Sequence, residues 1–439
     1  MRNQFKTLEE MREYCEKEHA HIGFSDNTGV YKKNHVINGF AVNNSIAILP
    51  MEGCDALPDG SPGELTARRY VRFCEGGAGI VWFEAVAVVE EGRASKQQLF
   101  INNANVDNFK RLLDEVKERS LKKNGYVPLL IMQLTHSGRY SKPQGTPSPI
   151  IAAHNPVLDE KYHISADHRP ISDAELRELE DRYAQAAALA ESAGFDGVDL
   201  KASHGYLLSE LLSAYTREGE YGGDYSGRTR FIKNTARKIS QSVSGRMVLG
   251  TRFGIYDAMD YPYGFGVDRV TGEPDLTEPA ALLNELSGLG AALCAVTIGN
   301  PYLNPHIGRP FDSGAYIPPE PPVKGVERLI SLAAAVKRMV PDMRFIGAGY
   351  SWLREFAVQA GAYALENEMV DFIGFGRQAF ADPSIAEEIL SEGRIARNKT
   401  CITCSKCSQL MRSMVTAGCV IRDKEIYAPL YQKHIQNTI

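Results

Sequence analysis

The stretch DAELRELEDRYAQAAALAESAGFDGVDLKA, residues 173–202, contains one full cycle of the pattern that decides the fold. Up to Gly194 its apolar residues recur at the 3.6-residue spacing of an amphipathic helix; FDGVDLKA (195–202) is then short, apolar and bounded by turn residues, as a buried strand is. Outward from there the same two signals alternate. Helix-like spacing returns in NVDNFKRLLDEVKERSLKK (105–123) and VERLISLAAAVKRMV (326–340). Strand-like runs are NNSIAILP (43–50), AGIVWFEAVAVV (78–89), YVPLLIMQL (126–134), RMVLGTRF (246–253), AALCAVTIG (291–299), RFIGAG (344–349) and VDFIGFG (370–376). With 195–202 these make eight strands, and alternation of apolar strand with amphipathic helix predicts an α/β fold, a parallel sheet closed as a (β/α)8 TIM barrel. The rival, an open doubly wound sheet, is weakened because no Gly-x-Gly-x-x-Gly follows the first strand; GGAG (76–79) precedes its strand instead.

The chain has 439 residues, enough for a barrel of about 250 residues with insertions and an appendage. Hydrophobic residues are 44% and charged residues 23%, the balance of an ordinary globular chain. A net charge of -5 without a basic block offers no footprint for nucleic acid. No apolar run approaches the ~20 residues of a membrane span, and the polar start MRNQFKTLEEMREYCEKEHA has no signal-peptide core, so a cytoplasmic protein is expected. Cys15, Cys54, Cys74 and Cys294 are scattered singly, which argues for a reducing compartment.

The other four cysteines crowd the end of the chain, as Cys401, Cys404 and Cys407 and, past eleven further residues, Cys419. Four thiolates so grouped point to a metal centre, either an iron-sulfur cluster or a structural zinc. In a barrel of this kind functional groups stand at the C-terminal strand ends. Those ends carry Pro50-Met51-Glu52, Glu84-Ala85, Gln133 with His136, Lys201 with His204 and Tyr206, Arg252, Gly347-Ala348-Gly349 and Gly374-Phe375-Gly376-Arg377. Glycines ending the seventh and eighth strands leave backbone N–H groups open to a phosphate, with Arg377 as countercharge. Two long insertions, 141–170 and 255–279, follow the third and fifth strands and are expected to pack on the same face and serve binding.

The chain resembles the old yellow enzyme family of FMN-dependent oxidoreductases, nearest its 2,4-dienoyl-CoA reductase and 2-enoate reductase branch. The resemblance runs from about Asn38 to Asp423 and is carried by AILPM (47–51), GGAGIVWFEA (76–85), QLTHSGR (133–139), AGFDGVDLKASHGYLLSELLS (193–213), YGGDYSGRTRF (221–231), GAGYSW (347–352), DFIGFGRQAFADP (371–383) and the cysteine run. It implies that Pro50, Met51 and Ala85 pack beside a flavin ring, that Gln133 bonds its pyrimidine edge, and that Arg252 faces N1 and O2. Gly347, Gly349, Gly376 and Arg377 would hold the phosphate. His204 and Lys201 would face a substrate carbonyl, and Tyr206 would donate a proton, a task suited to a phenol that stays protonated at neutral pH. Cys401, Cys404, Cys407 and Cys419 would hold a 4Fe-4S cluster. The implied organisation is an N-terminal extension (1–40), an FMN-binding barrel (41–392) and an iron-sulfur module (393–439).

The chain departs from the family at three points. Lys201 stands where many members have histidine, Glu52 where threonine or cysteine is common, and two residues separate Cys404 from Cys407 where three is typical. His306, on the loop after the sixth strand, is a second acid candidate, with an exposed loop histidine as its plainer reading. The expected activity is reduction, or formation, of a C=C bond conjugated to a carbonyl in a small unsaturated molecule. Amine oxidation is the alternative, with Tyr256, Tyr261 and Tyr263 caging a cation; a non-catalytic electron-transfer subunit is a third. Electrons would arrive as hydride from NAD(P)H or singly, through the cluster, from a donor protein or flavoprotein subunit. A homo-oligomer is compatible with all of these.

Overall fold

Asn38 and Gly39 both take positive φ, 46° and 79°, as the two-residue loop of a tight hairpin requires. They join β1 (His35–Ile37) to β2 (Phe40–Val42), which pair antiparallel. In this computed structural model, which describes residues 5–312, 314 and 316–437, the hairpin precedes a closed barrel of eight parallel strands. These are β3 (Ile46–Ile48), β4 (Ile80–Ala87), β5 (Leu129–Thr135), β6 (Gly197–Ala202), β7 (Val248–Gly254), β8 (Ala291–Thr297), β9 (Arg344–Gly347) and β10 (Phe372–Phe375), with β10 closing onto β3. Every strand expected from the sequence forms. The expected helices also form, as Val106–Asn124, Asp173–Ala193 and Pro322–Met339. The last begins earlier than its apolar pattern does, because Pro322 suits the first helical position, where its missing N–H costs no hydrogen bond.

The barrel interior is filled at the strand starts. Ile80, Trp82, Leu129, Ile131, Val248 and Phe372 form a buried cluster there, and Ile37 and Val42 of the hairpin pack into it as a plug. That hairpin spans residue 40, and both of its strands contribute to the barrel core. With one end sealed by apolar packing, polar side chains at the opposite strand ends are free to surround a cavity.

The C-terminal segment carries helices Lys406–Arg412 and Lys424–Tyr431 and lies across the first strand-to-helix connection. Ala417 N–H donates to Gly53 O at 2.7 Å, Thr416 Oγ1 donates to Cys54 O at 3.2 Å, and Asp423 takes Arg68 at 2.7 Å and Arg72 at 2.8 Å from helix Glu64–Glu75. Under this contact Arg69, 5% exposed, forks between Asp55 and Glu84, and Gly53 N–H donates to the second Glu84 oxygen at 2.8 Å. A buried guanidinium shared by two carboxylates thus fixes the loop that follows β3.

Candidate functional site

A cavity of about 210 Å³ opens at the C-terminal strand ends. It is lined by Pro50, Met51 and Glu52 after β3, Ala85 of β4, Gln133 of β5, Lys201, His204 and Tyr206 of β6 and its turn, and Arg252 of β7; Gly349, Gly376 and Arg377 line its far side. A larger groove of about 740 Å³ runs along helix Asp173–Ala193, but its charged, open lining of Glu90, Glu91, Glu175, Glu178 and Arg182 shares no residue with this cluster. The chemistry-bearing side chains converge on the smaller cavity.

Of the strand-end residues named from sequence, Glu84 turns to Arg69, His136 lines the larger groove, and Gly347 also stays outside the cavity. Alternation along β9 turns it away, so that a Cβ there would meet Tyr350 Oη at 3.1 Å and Val370, while Ala348 takes the lining place. Gly349 does need its lack of side chain: φ is 99°, and a Cβ would lie 2.5 Å from Leu329 Cδ1. At Gly376 a Cβ would press on Met51 Sδ at 3.0 Å.

The cavity floor is polar. Gln133 Nε2 donates to Asp199 Oδ2 at 2.7 Å, which leaves the Gln133 amide oxygen for an occupant. Arg252 Nε and Nη1 and Arg377 Nη1 are buried with no hydrogen-bond partner. Burial lowers the Arg252 guanidinium to about 10, still a cation at neutral pH. Unpaired buried donors are costly unless a ligand meets them. A phosphate at Arg377 and an electron-rich ring edge at Arg252 and Gln133 would satisfy all of them, so the residues present fit FMN.

The turn after β6 is strained into place: His204 and Gly205 have φ of 66° and 71°, which throws His204 into the cavity before helix Leu207–Leu212. Its Nε2 lies 3.5 Å from Thr297 Oγ1. Desolvation first, then Arg252 and Lys201, push the imidazole well below its usual range, so it is neutral and one ring nitrogen carries a proton to donate. Tyr206 donates to Glu52 Oε1 at 3.3 Å, pairs with Tyr302 Oη at 3.2 Å, and carries the Lys201 ammonium 3.8 Å from its ring centroid. Lys201 also reaches Glu52 at 3.3 Å; desolvation lowers the ammonium while Glu52 opposes that shift.

The remaining wall was not legible in advance. It comes from Pro301, Tyr302, Pro305, Gly308 and Arg309 after β8 and from Cys407, Ser408, Met411 and Arg412 of the C-terminal helix. Neither long insertion lines the cavity; 141–170 instead folds a helix, Pro156–Tyr162, and lends Pro149, Ile150, His168 and Arg169 to the larger groove, while 255–279 closes a bridge between Val267 and Pro274. Tyr256, Tyr261 and Tyr263 likewise stay outside it, Tyr256 donating to Gly272 O and Tyr261 meeting Tyr215 edge-on, so they form no cation cage there. His306 is paired to Tyr316 at 2.6 Å, also off the cavity.

Cys401, Cys404, Cys407 and Cys419 surround one small cavity with Arg377, Phe380 and Arg422. Among the described residues no group of three or more His, Cys, Asp or Glu side chains is placed to hold a metal ion. Thr403 N–H points at Cys401 Sγ at 3.4 Å and Arg422 N–H at Cys419 Sγ at 3.3 Å. Arg377, Phe380 and Cys407 line both cavities, so the two are neighbours across a shared wall.

This architecture belongs to a recognised class. The NADH:flavin oxidoreductase / NADH oxidase family matches residues 36–266, more than half of the chain, and the chain belongs to that family. An NADH oxidase of Thermoanaerobacter brockii is 25% identical over 92% of this chain and 58% of its own length. An NADPH dehydrogenase of Bacillus subtilis (strain 168) is 32% identical over 48% of this chain and 59% of its own. The chain therefore spans less than two-thirds of either relative. A 2-naphthoyl-CoA reductase structure, in complex with 2-naphthoyl-CoA, superposes with a TM-score of 0.71 at 18% identity, covering 90% of this chain and 57% of that one, a likeness of fold.

Proposed function

We propose that the protein is an FMN-dependent oxidoreductase that reduces, or in reverse forms, a C=C bond conjugated to a carbonyl. One observation carries this reading. The end of β6 and the turn after it present a neutral imidazole, a lysine amine and a protonated phenol to a cavity whose opposite walls hold unpaired guanidiniums. When bound, FMN supplies hydride at N5 for the alkene β-carbon. His204, aided by Lys201, donates a hydrogen bond to the carbonyl oxygen and so polarises the alkene. Tyr206, whose phenol burial and Glu52 hold well above its usual range, keeps its proton until the α-carbon takes it. Pro50, Met51 and Ala85 would pack against the ring, and Gly349, Gly376 and Arg377 would receive the phosphate, with Gly347 supporting from outside.

The C-terminal cysteines are proposed to hold a 4Fe-4S cluster. Four thiols around one small cavity are the donor set that an iron-sulfur cluster takes. The two backbone N–H groups directed at sulfur are the donors that tune such clusters. Cys407 on the shared wall would give electrons a short path between the two centres. NAD(P)H at the cavity mouth, or a donor protein acting through the cluster, would reduce the enzyme. The test is anaerobic: reduce the bound flavin with dithionite, then offer enones, enoates and enoyl thioesters. Reoxidation by one of these classes supports the reading; reoxidation by none, with oxidised enzyme reduced by an amine, refutes it.

A further inference from the structure

Asp199 has so far served only as the acceptor for Gln133, yet it lies directly beneath the site. It is fully buried on β6, two residues before Lys201 on the same inward face. One oxygen accepts from Gln133 Nε2 at 2.7 Å; the other, Oδ1, is buried and has no partner in full hydrogen-bond geometry, although the Trp82 indole N–H comes near enough to oppose the upward push of burial. The charged and titratable groups facing it are Arg252 from β7, Lys201 from β6, Cys294 from β8 and Tyr183 from helix Asp173–Ala193. None closes an ion pair with it; Lys201 is held by Glu52, and Arg252 points unpaired nitrogens at the flavin position. A carboxylate with an orphaned oxygen here is a vacancy for a proton.

We infer that Asp199 takes up a proton when the flavin above it is reduced. This rests on the FMN reading. Two electrons and one proton entering the flavin leave an added negative charge on the ring edge that Gln133 and Arg252 face. That charge falls beside the Asp199 carboxylate, and like charges in a buried site favour protonation of one of them. Burial already brings Asp199 to about 7, so the extra charge lifts it through the neutral range. The balance is two electrons from the reductant, one proton to the flavin and one from solvent to Asp199. Because Asp199 also holds the Gln133 amide, it acts as a positioning residue whose charge follows the redox state of its neighbour.

The experiment measures protons taken up per flavin on anaerobic reduction of the FMN-loaded protein between pH 7.5 and 9, with a pH-indicator dye in weak buffer and photoreduction. Wild type should take up close to twice the protons of Asp199→Asn, and Asp199→Glu should restore the wild-type value, a pattern that mere structural support would not give. In wild type, infrared difference spectra should gain a protonated-carboxyl band on reduction, which covers the case in which Asp199→Asn loses flavin. Equal uptake in wild type and Asp199→Asn, or no such band, overturns the inference. Failure to bind flavin in wild type would instead overturn the FMN reading.

Discussion

The Tyr206 hydroxyl donates to Glu52 Oε1 at 3.3 Å, within a cavity that also holds the Lys201 ammonium. An anion that accepts from the phenol keeps the phenol protonated, and the ammonium over the ring offsets the charge that forms when the proton leaves. Tyr206→Phe should slow reoxidation of reduced flavin by an alkene about 100-fold or more while flavin reduction by dithionite is unchanged. Stopped-flow measurement of the two half-reactions separates these; equal loss in both would remove the proton-donor role.

Arg69 is a buried cation shared by Asp55 and Glu84 beneath the loop that carries Glu52. Arg69→Ala would strand two carboxylates in the interior, and removing one partner of a buried ion pair costs about 3–5 kcal/mol. Denaturant unfolding should show a loss of that size. A loss below about 1 kcal/mol would mean that the loop does not depend on this cluster.

His136, at the end of β5, is buried and accepts a hydrogen bond from Gly138 N–H through Nδ1 at 3.0 Å. Desolvation lowers its pKa from 6.5 to about 4. A base with a depressed folded-state pKa binds protons more readily when unfolded, so this contribution is present above pH 6.5 and is lost progressively as the pH falls toward 4. The loss should reach about 3 kcal/mol, from 1.36 kcal/mol per pK unit. His136→Asn, which keeps an acceptor for Gly138, should flatten that acid limb in stability measured against pH; an unchanged limb would contradict the assignment.

The barrel was legible because its signal repeats: each strand is a short apolar run, and each expected strand formed. The floor and far wall were half legible. Gln133, Arg252 and Arg377 announce themselves as polar residues ending apolar strands, and the structure places all three at the cavity. That Gly349 and not Gly347 lines the cavity was not legible, because a glycine pair two residues apart does not reveal which member faces inward. Asp199 was missed although a signal existed, since alternation puts Asp199 and Lys201 on one face of the strand. The hairpin plug at 35–42 and the wall formed by Cys407, Ser408, Met411 and Arg412 depend on contacts between distant parts of the chain, which local periodicity does not encode.

The four terminal cysteines give a separable prediction. Cys404→Ser should remove iron and acid-labile sulfide from anaerobically purified protein while flavin remains, since Cys404 does not line the flavin cavity. Elemental analysis decides it: zinc in place of iron in the wild type would show that the centre is structural.

The account turns on the occupant of the cavity at the barrel mouth, and identifying the chromophore released from the purified protein tests it most directly. Acid extraction followed by chromatography should yield FMN in near-equimolar amount, and much less from Arg377→Ala. Wild-type protein that carries no flavin and takes up none from added FMN would contradict the account.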